Sequence, residues 1–384
     1  MDVPRTLVVT NDFPPKLGGV QTFVHALVHE LPADAVAVLA PRSEDSAAFD
    51  AEEPYRIERA NDTFLWPTRA LADRVEALAR DHAAEVVLFG SPVPLTGIGP
   101  TLAKRGLPYV TLAHGLEYWM SIAPGAHAFL RYGTSRASAV LVCSRYIARV
   151  VRTAVPRGVP VAALRPGVDP RRFRPGLVVD DLREELGVAG RPVVVCVSRL
   201  VPRKGQDVLI RAMGRIRDRV PDAVLVLVGG GTDRARLEAL AASAPGGSVV
   251  FAGQVSEEEL PRAYAIGDVF AMPCRDRFAG LEVEGWGIVF VEAAACGLPV
   301  VAGTSGGAPE AVIEGETGAL VDGSDVGVVA GTVAGLLADP DHARAMGAAG
   351  RMRVERELSW ERCAGSLAQW LRRAVFTDPG APGG

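Results

Sequence analysis

The 384-residue sequence lacks the long hydrophobic segments of membrane-spanning proteins. It contains no run of 18 or more apolar residues, so we expect no transmembrane helix. The first apolar stretch, Thr6–Thr10, is shorter than a signal-peptide core and is not followed by a small-residue cleavage site. We therefore predict a first strand at this position and a cytoplasmic location.

Cysteine is also scarce, and the chain has no excess of positive charge. The five cysteines are scattered and include no CxxC pair, which argues against a disulfide framework or a cysteine zinc site and fits a reducing cytoplasm. The net charge of −4 differs from the basic balance of nucleic-acid-binding domains. There is no metal-ligand cluster and no suitably placed DxD motif, so we expect neither an obligatory metal nor another obligatory cofactor.

Short apolar runs alternate with longer segments of helical periodicity along most of the chain. This alternation predicts parallel sheets built from βαβ units. The predicted strands are Thr6–Thr10, Ala35–Leu39, Val86–Phe89, Tyr109–Leu112, Val140–Cys143, Pro192–Val197, Val224–Val228, Val249–Phe251, Val269–Met272, Pro299–Ala302 and Ala319–Val321.

The alternation pauses between Pro166 and Gly190, in a stretch rich in proline and charge. We therefore predict an N-terminal domain at residues 1–170 and a C-terminal domain at 171–362. The chain end is predicted to be helical from about Asp341 to Ala374, with the part at 363–376 returning to the N-terminal domain and a disordered tail at 377–384. Two such halves place a cleft between the carboxyl ends of two sheets, where ligands bind in open α/β folds.

A basic loop follows the first predicted strand of the second domain. The segment Ser198–Asp207 contains Arg199 and Lys204, which could clamp a diphosphate and neutralise charge on a departing nucleotide. Three cations in six residues could instead form a solvated loop. The position beside an apolar strand favours the functional interpretation.

Two glutamates, Glu284 and Glu292, are separated by seven residues. Glycines predict a loop after Glu284, and Ile288–Cys296 is predicted to form a helix whose first amides could bind phosphate or sugar oxygens. Both glutamates could instead be solvated. The segment around Glu292 is otherwise apolar, however, and an isolated carboxylate there is costly unless it is paired or bound.

Three further segments could bind a ligand or could only form turns. Gly18 and Gly19 precede the first predicted helix and allow a close approach of ligand to backbone. His114 follows a strand of the first domain, although a lone loop histidine is more often structural. The glycine-rich loop Gly303–Glu310 could shape a nucleotide pocket.

In combination, these residues resemble the GT-B glycosyltransferases of family 4. Glu284 and Glu292 match the family's EX7E motif, Arg199 and Lys204 match its basic pair, and the GG and His loops occur in the expected order. The resemblance extends from Val9 to about Trp360. It implies an α/β fold of two Rossmann-like domains with parallel sheets facing a central cleft, and transfer that retains the anomeric configuration.

Within the family, the sequence is most similar to the actinobacterial GDP-mannose-dependent phosphatidylinositol monomannoside mannosyltransferases. This resemblance implies GDP-mannose as donor and a phosphatidylinositol mannoside, or another hydroxyl compound, as acceptor. The implied nucleotide-sugar site comprises Arg199, Lys204, Val255, Glu284, Gly285, Trp286, Gly287, Ile288 and Glu292. The implied acceptor-side residues are Gly18, Gly19 and Gln21. Leu116 departs from the group, which commonly has a second histidine there, so the acceptor is less firmly indicated than the donor.

The resemblance implies catalytic roles for His114, Arg199, Lys204 and Glu284. No Asp or Glu stands out as a nucleophile in the loops of the first domain, although Asp12 and Glu117 are candidates to test. We therefore favour a front-face mechanism in which the leaving phosphate takes the proton of the acceptor hydroxyl. A lipid acceptor would require peripheral contact with the inner face of an anionic plasma membrane. Thr68–His82 and Ala126–Arg136 are either interfacial helices or ordinary amphipathic ones.

Three alternatives stay open. The first is a family 4 enzyme that uses another nucleotide sugar and a soluble or natural-product acceptor. The second is a GT-B epimerase, which converts a nucleotide sugar without an acceptor. The third is an inactive nucleotide-sugar binding protein, against which the complete Arg199, Lys204, Glu284 and Glu292 set argues.

Overall fold

The computed structural model describes residues 2–16, 18–115 and 123–376. They form two compact units. The first comprises the residues up to Pro166 together with those from Trp360 onward, and the second comprises Gly167–Ser359. Each unit contains one parallel sheet, as the fold class predicted from the sequence requires.

The sheet of the first unit has seven strands in the order β3-β2-β1-β4-β5-β6-β7. The strands are β1 Thr6–Val9, β2 Val36–Pro41, β3 Arg56–Ala60, β4 Val86–Phe89, β5 Tyr109–Ala113, β6 Ala139–Val142 and β7 Val161–Ala163. The helices are α1 Gly19–His29, α2 Ser46–Glu52, α3 Arg69–His82, α4 Gly99–Lys104, α5 Pro124–Gly133, α6 Arg145–Val151 and, from the chain end, α14 Trp360–Phe376.

The second unit has a six-stranded sheet in the order β10-β9-β8-β11-β12-β13. The strands are β8 Val193–Val197, β9 Val224–Val228, β10 Val249–Gly253, β11 Val269–Met272, β12 Val300–Gly303 and β13 Gly318–Val321. The helices are α7 Asp180–Glu185, α8 Gln206–Arg219, α9 Arg234–Ala241, α10 Leu260–Ala265, α11 Ile288–Ala295, α12 Val326–Ala338 and α13 Pro340–Glu357.

The inner strands are buried along their whole length and mostly apolar, because helices cover both faces of a parallel sheet. Every residue of β1, β4, β8 and β9 is buried. In the first unit, Leu367 and Leu371 of α14 join the core that includes Leu27 and Val28 of α1. The last helix of the chain is thereby part of the first unit.

The strands predicted from apolar runs are confirmed, with shifts of one or two residues at their ends. The helical chain end predicted from about Asp341 to Ala374 is confirmed, but it consists of two helices, because α13 ends at Glu357 and α14 begins at Trp360. Between them, Ser359 forms an isolated β-bridge with Val168, which takes the backbone out of the helix. The predicted tail at 377–384 lies outside the described residues.

Two glycines bring loops of the second unit into direct backbone contact. A Cβ atom at Gly303 would overlap the carbonyl oxygen of Cys274, and one at Gly205 would overlap that of Pro273. Gly205 also has a φ of +81° and precedes α8. These approaches fix the loops after β8 and β12 against the segment that follows β11.

Within the described ranges, no helix is both long and apolar enough to cross a membrane. The same ranges contain no group of three or more His, Cys, Asp or Glu residues that could hold a metal ion. All five cysteines are buried, and none forms a disulfide within the described ranges.

Candidate functional site

Lys204, Arg203 and Glu284 form a buried ionic cluster in the second unit. Lys204 Nζ donates to Glu284 Oε2 at 2.7 Å, and Arg203 Nη1 donates to the same oxygen at 2.6 Å. Lys204 and Glu284 are each 7% exposed. Burial alone would raise the pKa of Glu284, but the charges of Lys204 and Arg203 outweigh it and lower that pKa. Glu284 is therefore a carboxylate at neutral pH.

The second oxygen of this carboxylate is open to a ligand. No described residue donates a hydrogen bond to Glu284 Oε1, whereas Oε2 accepts two. An ionised carboxylate oxygen is a strong acceptor for a sugar hydroxyl. The cluster thus combines two fixed cations, which suit a diphosphate, with one available acceptor.

Backbone contacts from two other loops hold Glu284 in place. Glu284 N donates to Ser305 Oγ at 3.0 Å, Ser305 Oγ donates to Asp276 Oδ1 at 2.6 Å, and Gly307 N donates to the Glu284 carbonyl at 2.8 Å. The amide of Arg275 donates to the carbonyl of Arg203 at 2.9 Å. The glycine-rich loop that begins at Gly303 is therefore part of this site.

Glu292 lies on α11 and is hydrogen-bonded to a buried tyrosine. Tyr264 Oη donates to Glu292 Oε2 at 2.5 Å. The pKa of Glu292 is raised to about 7, chiefly because the side chain is removed from water; the charge of Glu257 adds to the rise, while the hydrogen bond from Tyr264 and the charge of Arg172 oppose it. Near neutral pH, Glu292 exchanges between its neutral and charged forms.

The structure does not bring Arg199 to this cluster. Arg199 is exposed, and its carbonyl accepts a hydrogen bond of 2.9 Å from Nε2 of the buried Gln206. Arg203 takes the position beside Lys204 instead. In the sequence, Arg203 is one of three cations within six residues. That pattern does not show which of the three contacts Glu284.

The other predicted donor-side residues lie around the start of α11. Gly287 precedes this helix with a φ of +79°, so the turn from the Glu284 loop into the helix requires a left-handed backbone. Trp286 is buried, and its Nε1 has no acceptor among the described residues. Gly285 and Ile288 flank this turn, and Val255 follows β10.

In the first unit, the predicted residues cluster at the start of α1 and the end of β5. Gln21 Nε2 donates to Asp12 Oδ1 at 2.8 Å, close to Gly18 and Gly19. The ring of His114 makes an edge contact with Phe23, with 5.2 Å between centroids. His114 Nε2–H donates to the carbonyl of Gly90 at 2.7 Å, which orients the ring. Leu116 and Glu117 lie outside the described residues.

Two family models match the chain. The model described as Glycosyl transferases group 1 matches residues 178–353, and the model described as Glycosyltransferase Family 4 matches residues 17–172. Together they account for most of both units.

Relatives match over nearly the whole length. The chain is 44% identical to a GDP-mannose-dependent alpha-(1-6)-phosphatidylinositol monomannoside mannosyltransferase of Mycolicibacterium smegmatis, over 95% of this chain and 97% of the relative. It is 39% identical to the enzyme of Corynebacterium glutamicum that acts on the monoacylated form of this acceptor, over 93% and 95% of the two chains. The solved structure of Anabaena Alr3699/HepE in complex with UDP has the same fold, with a TM-score of 0.80 and 20% identity over 96% of this chain and 99% of that one.

Proposed function

The chain belongs to the family 4 glycosyltransferases, and we propose that it transfers mannose from GDP-mannose to a phosphatidylinositol mannoside with retention of configuration. The support for this donor and acceptor is the identity to relatives of that activity along almost the entire chain. The site agrees with a nucleotide-sugar donor, because it offers fixed cations, open helix amides and carboxylates.

The observation that carries the proposal is the buried contact of Lys204 with Glu284. A buried ion pair is weak evidence for a stabilising role, since apolar residues of similar volume often stabilise a protein as well or better. We assign Lys204, with Arg203 beside it, to the diphosphate of the donor. We assign Glu284 Oε1 and the amides from Gly285 to Ile288 to the sugar and phosphates.

The proposed reaction needs no enzyme nucleophile. The acceptor hydroxyl oxygen forms the new bond to the anomeric carbon on the face from which the phosphate oxygen leaves, and its proton passes to that phosphate. Lys204 neutralises the charge that develops on the leaving diphosphate. Glu292 binds the ribose hydroxyls, His114 contacts the reacting sugar, and Gly18, Gly19 and Gln21 serve the acceptor.

Two roles rest on family resemblance alone. Arg199, although exposed in this structure, is proposed to reach the nucleotide, and Val255 is proposed to lie beside the base. A cytoplasmic location with peripheral contact to the inner membrane face is proposed because the acceptor is a lipid.

Calorimetry with GDP-mannose, UDP-glucose and UDP-GlcNAc, followed by turnover with phosphatidylinositol monomannoside, tests the proposed function. We expect GDP-mannose to bind most tightly and the product to carry a new α-mannosyl unit by NMR. Preference for a UDP sugar would overturn the donor. Donor binding without transfer to this lipid would overturn the acceptor and favour a soluble or natural-product acceptor.

The pKa of Glu292 predicts a pH dependence of donor affinity. Since the ribose hydroxyls are donors, they bind the charged carboxylate better than the neutral acid. Because the pKa is raised to about 7, affinity for GDP-mannose should increase as the pH rises from 6 to 8 and then level off. Calorimetry across this range checks the prediction. Glu292→Gln should bind weakly with no such dependence, and a flat profile for the unmodified protein would contradict the assignment.

Tyr264→Phe should weaken donor binding without changing the chemistry. Loss of a hydrogen bond to a charged group predicts an increase in the KM for GDP-mannose of about tenfold at nearly constant kcat. The pH midpoint of donor affinity should also move upward, because the hydrogen bond lowers the pKa of Glu292.

Tyr109→Phe provides a matched control in the first unit. Tyr109 is fully buried, and its hydroxyl donates to the carbonyl of Gly133 at 2.6 Å, so the same atom and one hydrogen bond are lost. We expect its donor KM and pH midpoint to remain unchanged. If Tyr264→Phe also left both quantities unchanged, Tyr264 would have only a packing role.

A further inference from the structure

Arg59 is a largely buried charged residue on the edge strand β3. Its side chain is 10% exposed, whereas that of Arg56 on the same strand is 47% exposed. Arg59 pairs with Asp50 of α2: Nη2 donates to Asp50 Oδ1 at 2.7 Å, and Nε lies 3.1 and 3.0 Å from the two carboxylate oxygens. The carboxylate balances the charge of the guanidinium, whose planar fork directs further N–H groups at fixed angles.

The same guanidinium holds the loop between β1 and α1. Its Nη2 donates to the carbonyl of Pro14 at 2.7 Å, and its Nη1 donates at 3.1 Å to the carbonyl of Pro41, at the end of β2. The guanidinium carbon also lies 5.7 Å from the ring centroid of the buried Phe13. A cation at this distance is attracted to an aromatic face. Two consecutive loop residues are therefore tied to the sheet by Arg59.

A second side chain fixes the earlier part of this loop. Asn11 exchanges two hydrogen bonds with the backbone of Leu65: its Nδ2 donates to the carbonyl at 3.1 Å, and its Oδ1 accepts from the amide at 2.7 Å. Arg59 adds an anchor three residues later, at Pro14, which is nearer to Gly18. The loop is thus held at two points before it reaches α1.

The anchored part of the loop contacts the start of α1 through Asp12. The buried Gln21 donates from Nε2 to Asp12 Oδ1 at 2.8 Å, and its side-chain oxygen lies so close to Gly18 that a Cβ atom there would overlap it. Residues that bind a ligand keep their geometry only when the groups behind them are fixed. A shift of the segment that holds Asp12 would therefore change the surface at Gln21 and Gly18.

We propose that Arg59 is a positioning residue that holds the loop at Phe13–Pro14 in the geometry required for acceptor binding. The inference rests on the proposed function, which assigns Gly18, Gly19 and Gln21 to the acceptor. Arg59 acts through the loop and its role is geometric, so its charge alone is not sufficient. Lysine keeps the charge but lacks the planar fork, and it should replace Arg59 only in part.

Hydrogen exchange followed by mass spectrometry tests the anchoring without any substrate. Peptides that span the loop after β1 should exchange about tenfold faster in Arg59→Met, because the loop loses a hydrogen bond from a charged group. Arg56→Met is the matched control, since Arg56 lies on the same strand but pairs with Asp81 and Glu58. We expect its loop to exchange as in the unmodified protein. Unchanged exchange in Arg59→Met would overturn the proposal.

Steady-state kinetics and calorimetry test the link to the acceptor. For Arg59→Met we expect the KM for phosphatidylinositol monomannoside to rise about tenfold, while the Kd for GDP-mannose stays within about twofold. Arg59→Lys should show a smaller rise, and Arg56→Met none. A purely structural role would lower the thermal midpoint of Arg59→Met and leave its acceptor KM unchanged. That result, or equal weakening of donor and acceptor, would overturn the proposal.

Two further readings keep this test separate from that of the proposed function. Arg59→Lys keeps a cation beside Asp50 and provides the same comparison should Arg59→Met not fold. Absence of mannosyl transfer by the unmodified protein would contradict the proposed function instead. The exchange experiment uses no donor or acceptor, so it would still decide whether Arg59 anchors the loop.

Discussion

Lys204→Ala is expected to lower kcat by about 10²- to 10³-fold, the loss that follows removal of one preorganised electrostatic contact to a transition state. Lys204 Nζ is held 2.7 Å from Glu284 Oε2 in a buried site, so its charge is fixed and poorly screened by water. Steady-state turnover of GDP-mannose measures the effect. The KM for the donor should change less than kcat, because the charge on the leaving diphosphate increases in the transition state.

Arg203→Ala separates this role from an indirect effect through Glu284. Both cations donate to the same carboxylate oxygen, but Arg203 is the more exposed. If Lys204 acts on the leaving group, Arg203→Ala should lower kcat much less than Lys204→Ala. Equal losses would mean that the two cations act as a unit, on the diphosphate or through Glu284, and near-normal turnover of Lys204→Ala would end its catalytic assignment.

Glu284→Ala should destabilise the second unit by about 3–5 kcal/mol, because removing one partner of a buried ionic cluster leaves uncompensated charge behind. Both Lys204 and Arg203 lose their carboxylate partner in this variant. For a domain of this size the melting temperature should fall by roughly 10 °C. Thermal unfolding followed by circular dichroism measures the change, and turnover should be lost as well.

Glu282→Ala is the control for this substitution. Glu282 lies two positions earlier in the same loop, its side chain is 43% exposed, and its partner is Arg277 at 3.1 Å. An exposed ion pair contributes about 0–1 kcal/mol, so we expect little change in melting temperature. Adding Lys204→Met to Glu284→Ala should restore part of the lost stability without restoring activity. No difference between Glu282→Ala and Glu284→Ala would contradict the buried-charge argument.

The pattern of apolar runs predicted most of the fold because buried parallel strands need continuous apolar sequence. The edge strand β3 was missed because it lacks a continuous apolar run. Its sequence RIERA is charged and only partly buried, and its pairing with β2 is a tertiary contact that no local pattern shows. The break between α13 and α14 was missed because it depends on the bridge from Ser359 to the distant Val168.

Site residues that belong to a sequence motif could be predicted. Side-chain contacts between segments that are distant in the sequence could not. Glu284 and Lys204 were predicted from spacing and chemistry; the structure shows their contact, and their roles stay a prediction. The contact of Arg203 with Glu284 depends on the turn at Pro202–Lys204, and the contact between Tyr264 and Glu292 joins residues on two helices. Neither pairing leaves a signal in a single sequence.

Gly205 and Gly303 limit how the donor-side loops can change during evolution or in a library of variants. Because each meets a carbonyl of the Pro273–Cys274 segment through backbone alone, every larger side chain at either position collides with an atom that cannot rotate away. A substitution at either position therefore forces the backbone of these loops to shift. We therefore expect sugar preference to change through substitutions of other residues in these loops. The two glycines are expected to stay unchanged in variants that remain active.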